Sequence, residues 1–384
     1  MLFILGVLAL FNSPSAWAYP EFIGYKYSSC VTCHYNGHGN GPINDYGRAL
    51  WATEIAGRAL ALGRTPEELG EASGFLGRRE LPWWFRPGLK GRGLTMRTSP
   101  GGDSTDRFIM MQAEGNVALF FDRDQRHIFV GSFGHAPIPN RLSGQPGEYE
   151  VDQWISREHY FRWQKNEVLW IYAGMMDKVY GIRTVNHTAY SRSRTGLAMN
   201  DQAHGIVAHW IQPKYEFTVN GFAGNLYQEA DLRQMGLSSM WEYEYAEAKR
   251  WGLSGLYSKN DYMTNQRFAV HNRSGFGNGA AVLAELGLIR NEPRTGKAQL
   301  GYYLYSEAIQ KIARGYHAFV GLQMYKGRME ADQSDLFKTS VGALMFPMQR
   351  VEFRFELENA KQLNQSPSVR RDTWVALIQA HLSL

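Results

Sequence analysis

The only two cysteines of the 384-residue chain fall in Cys30-Val31-Thr32-Cys33-His34. Two thiols separated by two residues reach the two vinyl groups of one porphyrin, and the adjacent histidine lies under the iron, so the spacing is that of covalent c-type haem attachment. The expected cofactor is one haem c, held by thioethers from Cys30 and Cys33 with His34 as axial ligand. Two other chemistries use some of the same residues. A redox dithiol expects a βαβ setting and leaves His34 without a task. A zinc site from Cys30, Cys33, His34 and His38 is cramped, because Cys33 and His34 are adjacent and the four ligands must form a tetrahedron. A disulfide framework is excluded by the count.

The second axial position is not filled from nearby. A downstream methionine would give the His/Met pair of many small cytochromes, but none occurs between His34 and Met96. His38 follows the proximal histidine by four residues and belongs to the same side of the haem. Its setting, Gly37-His38-Gly39-Asn40-Gly41-Pro42, reads as a solvated turn. The sixth ligand therefore has to come from elsewhere in the chain, or the iron is five-coordinate.

The elements that position the motif begin with an export signal. Residues 1–18 hold an apolar run from Leu2 to Phe11 and end in Ala16-Trp17-Ala18, a small-x-small cleavage pattern. No Lys or Arg follows Met1, which departs from that pattern, and the run is too short for a membrane-spanning helix. Residues 19–87 are expected to form a small α-helical cytochrome c-like domain. Asn44 or Asp45 caps a first helix with Tyr46, Ala49, Ala52, Ala56 and Ala59 on one face and Gly63 at its end. Thr65-Pro66-Glu67-Glu68 opens a second with a capping box, and Gly74 stops it. Leu81-Pro82-Trp83-Trp84-Phe85 suits a haem edge, a membrane interface or an apolar hinge.

From 88 to 384 the pattern has period two. Val351, Phe353, Phe355 and Leu357 alternate with Glu352, Arg354, Glu356 and Glu358, and a similar apolar stripe runs from Trp374 to Leu384. Segments of this kind recur near 89–98, 107–121, 125–135, 151–163, 166–176, 203–211, 213–224, 240–249, 251–258, 265–273, 278–290, 296–309 and 334–346, besides those at 316–325, 351–358 and 371–384. Sixteen such segments leave about 19 residues each, a strand of roughly ten plus a turn. Abundant Gly (40), Tyr (21), Phe (20) and Trp (11) fit a transmembrane antiparallel β-barrel better than a soluble sandwich or propeller. No stretch after the leader is apolar enough for a transmembrane helix. The net charge of +5, with its cations interleaved among acids, gives no support to nucleic-acid binding.

Leader, single haem motif and long barrel together resemble the fused outer-membrane monohaem cytochrome c-porins of iron-oxidising bacteria. At the residue level the resemblance rests on Cys30, Cys33 and His34. It implies localisation in the bacterial outer membrane, with the haem domain in the lumen or periplasm. It also implies electron transfer across that membrane: ferrous iron oxidised at the outer face, the electron passed to a periplasmic cytochrome or other soluble carrier. Outward flow to an extracellular acceptor, and a diffusion porin with a haem-bearing plug or sensor, stand as alternatives. A polar lumen also offers distal ligands: the alternation points His317 and His381 inward, and His271 with them.

Overall fold

The structure, a computed structural model, describes residues 21–38, 41–59, 63–77, 81–139, 150–331, 335–363 and 372–384. The expected leader lies outside the described residues. From Phe85 onward the chain is almost entirely strand: β1 (Phe85–Pro100), β2 (Thr105–Phe120), β3 (His127–Pro139), β4 (Glu150–Ile155), β5 (His159–Gln164) and β6 (Leu169–Met176). There follow β7 (Ala203–Ile211), β8 (Tyr215–Phe222), β9 (Met235–Ala246), β10 (Lys249–Lys259), β11 (Met263–Gly277) and β12 (Ala280–Pro293). The last are β13 (Gln299–Ala313), β14 (Tyr316–Lys326), β15 (Asp335–Met348), β16 (Val351–Gln362) and β17 (Thr373–Ser383). Pairing is antiparallel between neighbours, and β17 returns to β1 from Lys90↔Ser383 to Pro100↔Thr373, which closes the barrel. Both β4 and β5 pair with β3, so they are two halves of one strand broken at 156–158. The barrel thus has sixteen strand positions, as the alternation predicts.

Its faces are those of a membrane barrel. Along β16, Glu352, Arg354, Glu356 and Glu358 are buried, whereas Phe355 and Leu357 are 37% and 43% exposed. Charged residues inside and apolar residues outside invert the rule of a soluble sandwich, and lipid is the solvent that makes the inversion stable. Val320 and Val341 face each other across β14 and β15, each about half exposed. Val341→Arg is therefore expected to destabilise folding into lipid by about 2–4 kcal/mol, read as an earlier urea midpoint in vesicles.

The two rims differ. Two-residue turns at 247–248, 278–279, 314–315 and 349–350 share one rim, while the loops 177–202 and 223–234 rise from the other. Short turns mark the periplasmic rim and long loops the outer one.

The N-terminal segment fills the lumen from the periplasmic rim as a plug of short helical turns: Glu21–Tyr25, Cys30–Thr32, α1 (Asp45–Leu50) and α2 (Pro66–Glu71). Asn44 caps α1, its Oδ1 accepting from the Gly47 amide at 2.8 Å. Thr65 and Glu68 form the expected capping box on α2. The first helix is shorter than its periodicity predicts: after one π turn it ends at Ile55, well before Gly63. The barrel competes for its backbone there. Arg314 donates to the carbonyls of Thr53 and Ala56, and the Gly57 amide donates to Phe346 O at 2.6 Å. Ile23, Tyr25, Ile55 and Ala56 of the plug share one apolar core with Ala248, Ile309, Phe319, Leu344 and Phe346 of the barrel floor. Plug and barrel are a single packing unit. Trp83 and Trp84 are exposed at the periplasmic rim, Trp83 beneath the Arg123 guanidinium, which fits the interface reading of that cluster.

Candidate functional site

From the outer rim, residues 177–202 fold inward and cross the lumen. The Gly181 amide donates to Ser254 Oγ on β10 at 3.0 Å, Ile182 N to the Glu285 carboxylate on β12, and Tyr190 N to Gln323 Oε1 on β14 at 2.8 Å. Gly181 has φ +60°, and a Cβ on it would meet the Glu285 carboxylate, so the crossing requires glycine there. A short helix α3 (Tyr190–Ser193) lies in this loop. Between the loop and the plug remains a cavity of about 300 Å³, within the range of small-molecule and cofactor sites.

Cys30, Cys33 and His34 all line it. A 3₁₀ turn over Cys30–Thr32, closed by Cys33 N and His34 N donating to Cys30 O at 3.2 and 3.0 Å, brings the three side chains to one cavity wall. The turn is anchored by Asn44, whose Nδ2 donates to Thr32 O at 3.0 Å while the Asn44 amide donates to Cys33 O at 2.8 Å. Burial, helped by the nearby Lys90, pushes the His34 imidazole down to about 4. It is neutral at pH 7, the form that binds iron. Burial and the neighbouring thiol push Cys33 up to about 12, so it is protonated at pH 7 and a poor nucleophile. Behind Cys30 runs a buried ionic chain. Arg250 pairs with Glu216 at 2.6 Å and lies 3.7 Å from Glu242, Arg273 pairs with Glu242, and Arg273 Nη1 approaches Cys30 Sγ at 4.0 Å.

Four histidines reach the cavity: His34, His38, His187 and His381. His38 is not the solvated residue its glycine-rich setting suggests. It is buried beside Tyr172 and His209, with ring centroids 6.2 and 5.9 Å away, and neither of its ring nitrogens has a hydrogen-bond partner. The haem loop is pressed against the barrel wall, which removes the water a turn would otherwise meet. Gly41 (φ +76°) lies with its α-carbon against the Glu158 carboxylate. Gly41→Ala should cost about 1–2 kcal/mol from backbone strain plus a displaced Glu158, and thermal melts with haem occupancy per protein would show it as a lower midpoint and incomplete loading.

Of the three histidines that the alternation turns inward, His381 lines the cavity and the other two do not. His271 is buried with Nε2 2.9 Å from Glu242 Oε1. His317 lies on the barrel floor against Phe346, centroids 5.9 Å apart. His187 and the whole inward loop escape sequence reasoning; the only signal is the unusually long gap between two well-patterned strands. Among the described residues no cluster of three or more His, Cys, Asp or Glu has the arrangement of a metal-ion site.

No protein-family model matches the chain, and no curated protein matches it by sequence. Solved structures do match by shape. OmpT, an outer membrane protein of Vibrio cholerae, aligns with a TM-score of 0.60 at 10% identity, over 79% of this chain and 99% of that one. The barrel has the fold of outer-membrane porins. An anion-selective porin from Comamonas acidovorans gives a TM-score of 0.59 at 9% identity, over 78% and 99%. OprB of Pseudomonas putida gives 0.59 at 11%, over 87% and 100%. The inside-out surface and this porin-like fold place the chain in a bacterial outer membrane.

Proposed function

We propose that this porin-like barrel is an electron conduit of the outer membrane, with a c-type haem covalently attached inside its lumen. The observation that carries the reading is that the Cys-x-x-Cys-His turn opens onto a cavity between plug and inward loop inside the barrel. The cavity's charge fits the group. Arg157, Arg183 and Arg273 are paired with Glu114, Asp177 and Glu242. Lys90, Arg92 and Lys178 line the cavity with no ion pair among the described residues, and Arg92 Nε is buried without a hydrogen bond. Lys178 also lies over the Phe222 ring and the buried Glu158 carboxylate shares the wall, but the three cations still suit the two carboxylates that a haem carries on one edge.

In this arrangement Cys30 and Cys33 would form the thioethers, His34 would ligate the iron, and Lys90, Arg92 and Lys178 would hold the propionates. Bound there, haem supplies a one-electron carrier. The plug below and the inward loop above narrow access to the cavity from both sides. The resemblance to iron-oxidising cytochrome-porins makes ferrous iron the outer donor and a periplasmic cytochrome the acceptor. The test is proteoliposomes loaded with an oxidised cytochrome c and given ferrous citrate outside. Reduction of the enclosed cytochrome that depends on the holoprotein is expected; a c-type spectrum without any such transfer would reject the conduit.

A further inference from the structure

We propose that His381 is the second axial ligand of the haem iron and that Glu352 holds it in that role; the inference rests on the haem reading above. His381 projects from β17 into the cavity, its side chain one-tenth exposed. Its Nδ1 lies 3.1 Å from Glu352 Oε2 on β16, directly across the ladder. An ionised carboxylate can only accept, so Nδ1 carries the proton and Nε2 presents a lone pair. That Nε2 is buried and has no hydrogen-bond partner. A carboxylate fixing one imidazole nitrogen while the other stays bare is how proteins orient a histidine toward a metal.

The strand register puts His381 beside the same patch that borders His34. Arg92 pairs with His381 and Lys90 with Ser383 in the β1–β17 ladder, and the Lys90 charge acts on both imidazoles. The competing histidines each lack one of these features. His38, in the same loop as His34, has no carboxylate on either ring nitrogen. His187 enters with the inward loop among Arg92, Arg157, Arg183 and Arg192, with no carboxylate fixing its ring. His271 and His209 show the same arrangement, Nε2 on a carboxylate and Nδ1 bare, but neither lines the cavity.

The experiment is electron paramagnetic resonance and visible spectroscopy of purified full-length holoprotein, with a redox titration. Wild type should be low-spin with two histidines. His381→Ala should turn high-spin and regain the low-spin spectrum with added imidazole, whereas His187→Ala should stay low-spin. His381→Met should remain six-coordinate with a raised midpoint potential. Glu352→Gln, which keeps the ligand but weakens its basicity, should stay low-spin with a smaller upward shift. A low-spin spectrum that survives in His381→Ala, a five-coordinate wild type, or an unshifted potential in both His381→Met and Glu352→Gln would overturn the assignment. A wild type with no covalent haem would instead overturn the haem reading itself, so the two failures are distinguishable.

Discussion

Cys33→Ser is expected to abolish nearly all stable covalent haem while leaving the barrel folded. The pyridine haemochrome of denatured protein should lose its c-type band, and circular dichroism in detergent should keep its sheet signal. The asymmetry follows from where the thiol sits. Cys33 contributes to a cavity wall, whereas the barrel is closed by the β1–β17 ladder and by the apolar floor around Phe346, neither of which contains a cysteine. The same variant made in the porin-with-sensor alternative would also lose haem, so the second large effect is needed to separate them.

Planar-bilayer recordings of the intact chain should show conductance far below that of an open barrel of sixteen strands. Two obstructions stand in series: the plug, hydrogen-bonded to the periplasmic turns through Gly57, Arg314 and Arg350, and the inward loop, tied to β10, β12 and β14. Replacing residues 178–201 by a short Gly-Ser linker removes one obstruction and should raise conductance severalfold without opening the lumen fully, because the plug remains. A wild-type channel as conductive as a general porin would make solute passage the main activity and demote the haem to an accessory.

Much of the barrel is legible in the sequence because period-two patterning survives any amount of divergence: one face must meet lipid. Val351 to Glu358 shows this in eight residues. The break at 156–158 is not legible, because Ser156, Arg157 and Glu158 continue a polar pattern while the backbone leaves the ladder. The cavity was harder to foresee. Alternation tells which face a side chain occupies but not its azimuth around the barrel, so His317, on the floor, and His381, on the cavity wall, look equivalent. The lumen also disables the usual cue that Gly-rich polar segments lie in water, which is why His38 reads as solvated and is in fact buried. First helices read too long for a related reason, since helical periodicity carries no record of the Arg314 guanidinium that takes the carbonyls of its last turn.

The shared core of plug and barrel floor dictates an order of assembly. On the haem reading proposed above, a porphyrin held between the plug below and the strap above would be attached at Cys30 and Cys33 before the seam of β17 on β1 closes around it. Because β1 follows the plug directly in the chain, the seam closes beside the very segment that carries the cofactor. On that reading haem attachment and barrel insertion would be sequential steps on one polypeptide, and a delay in the first would leave an unsealed sheet edge waiting in the periplasm.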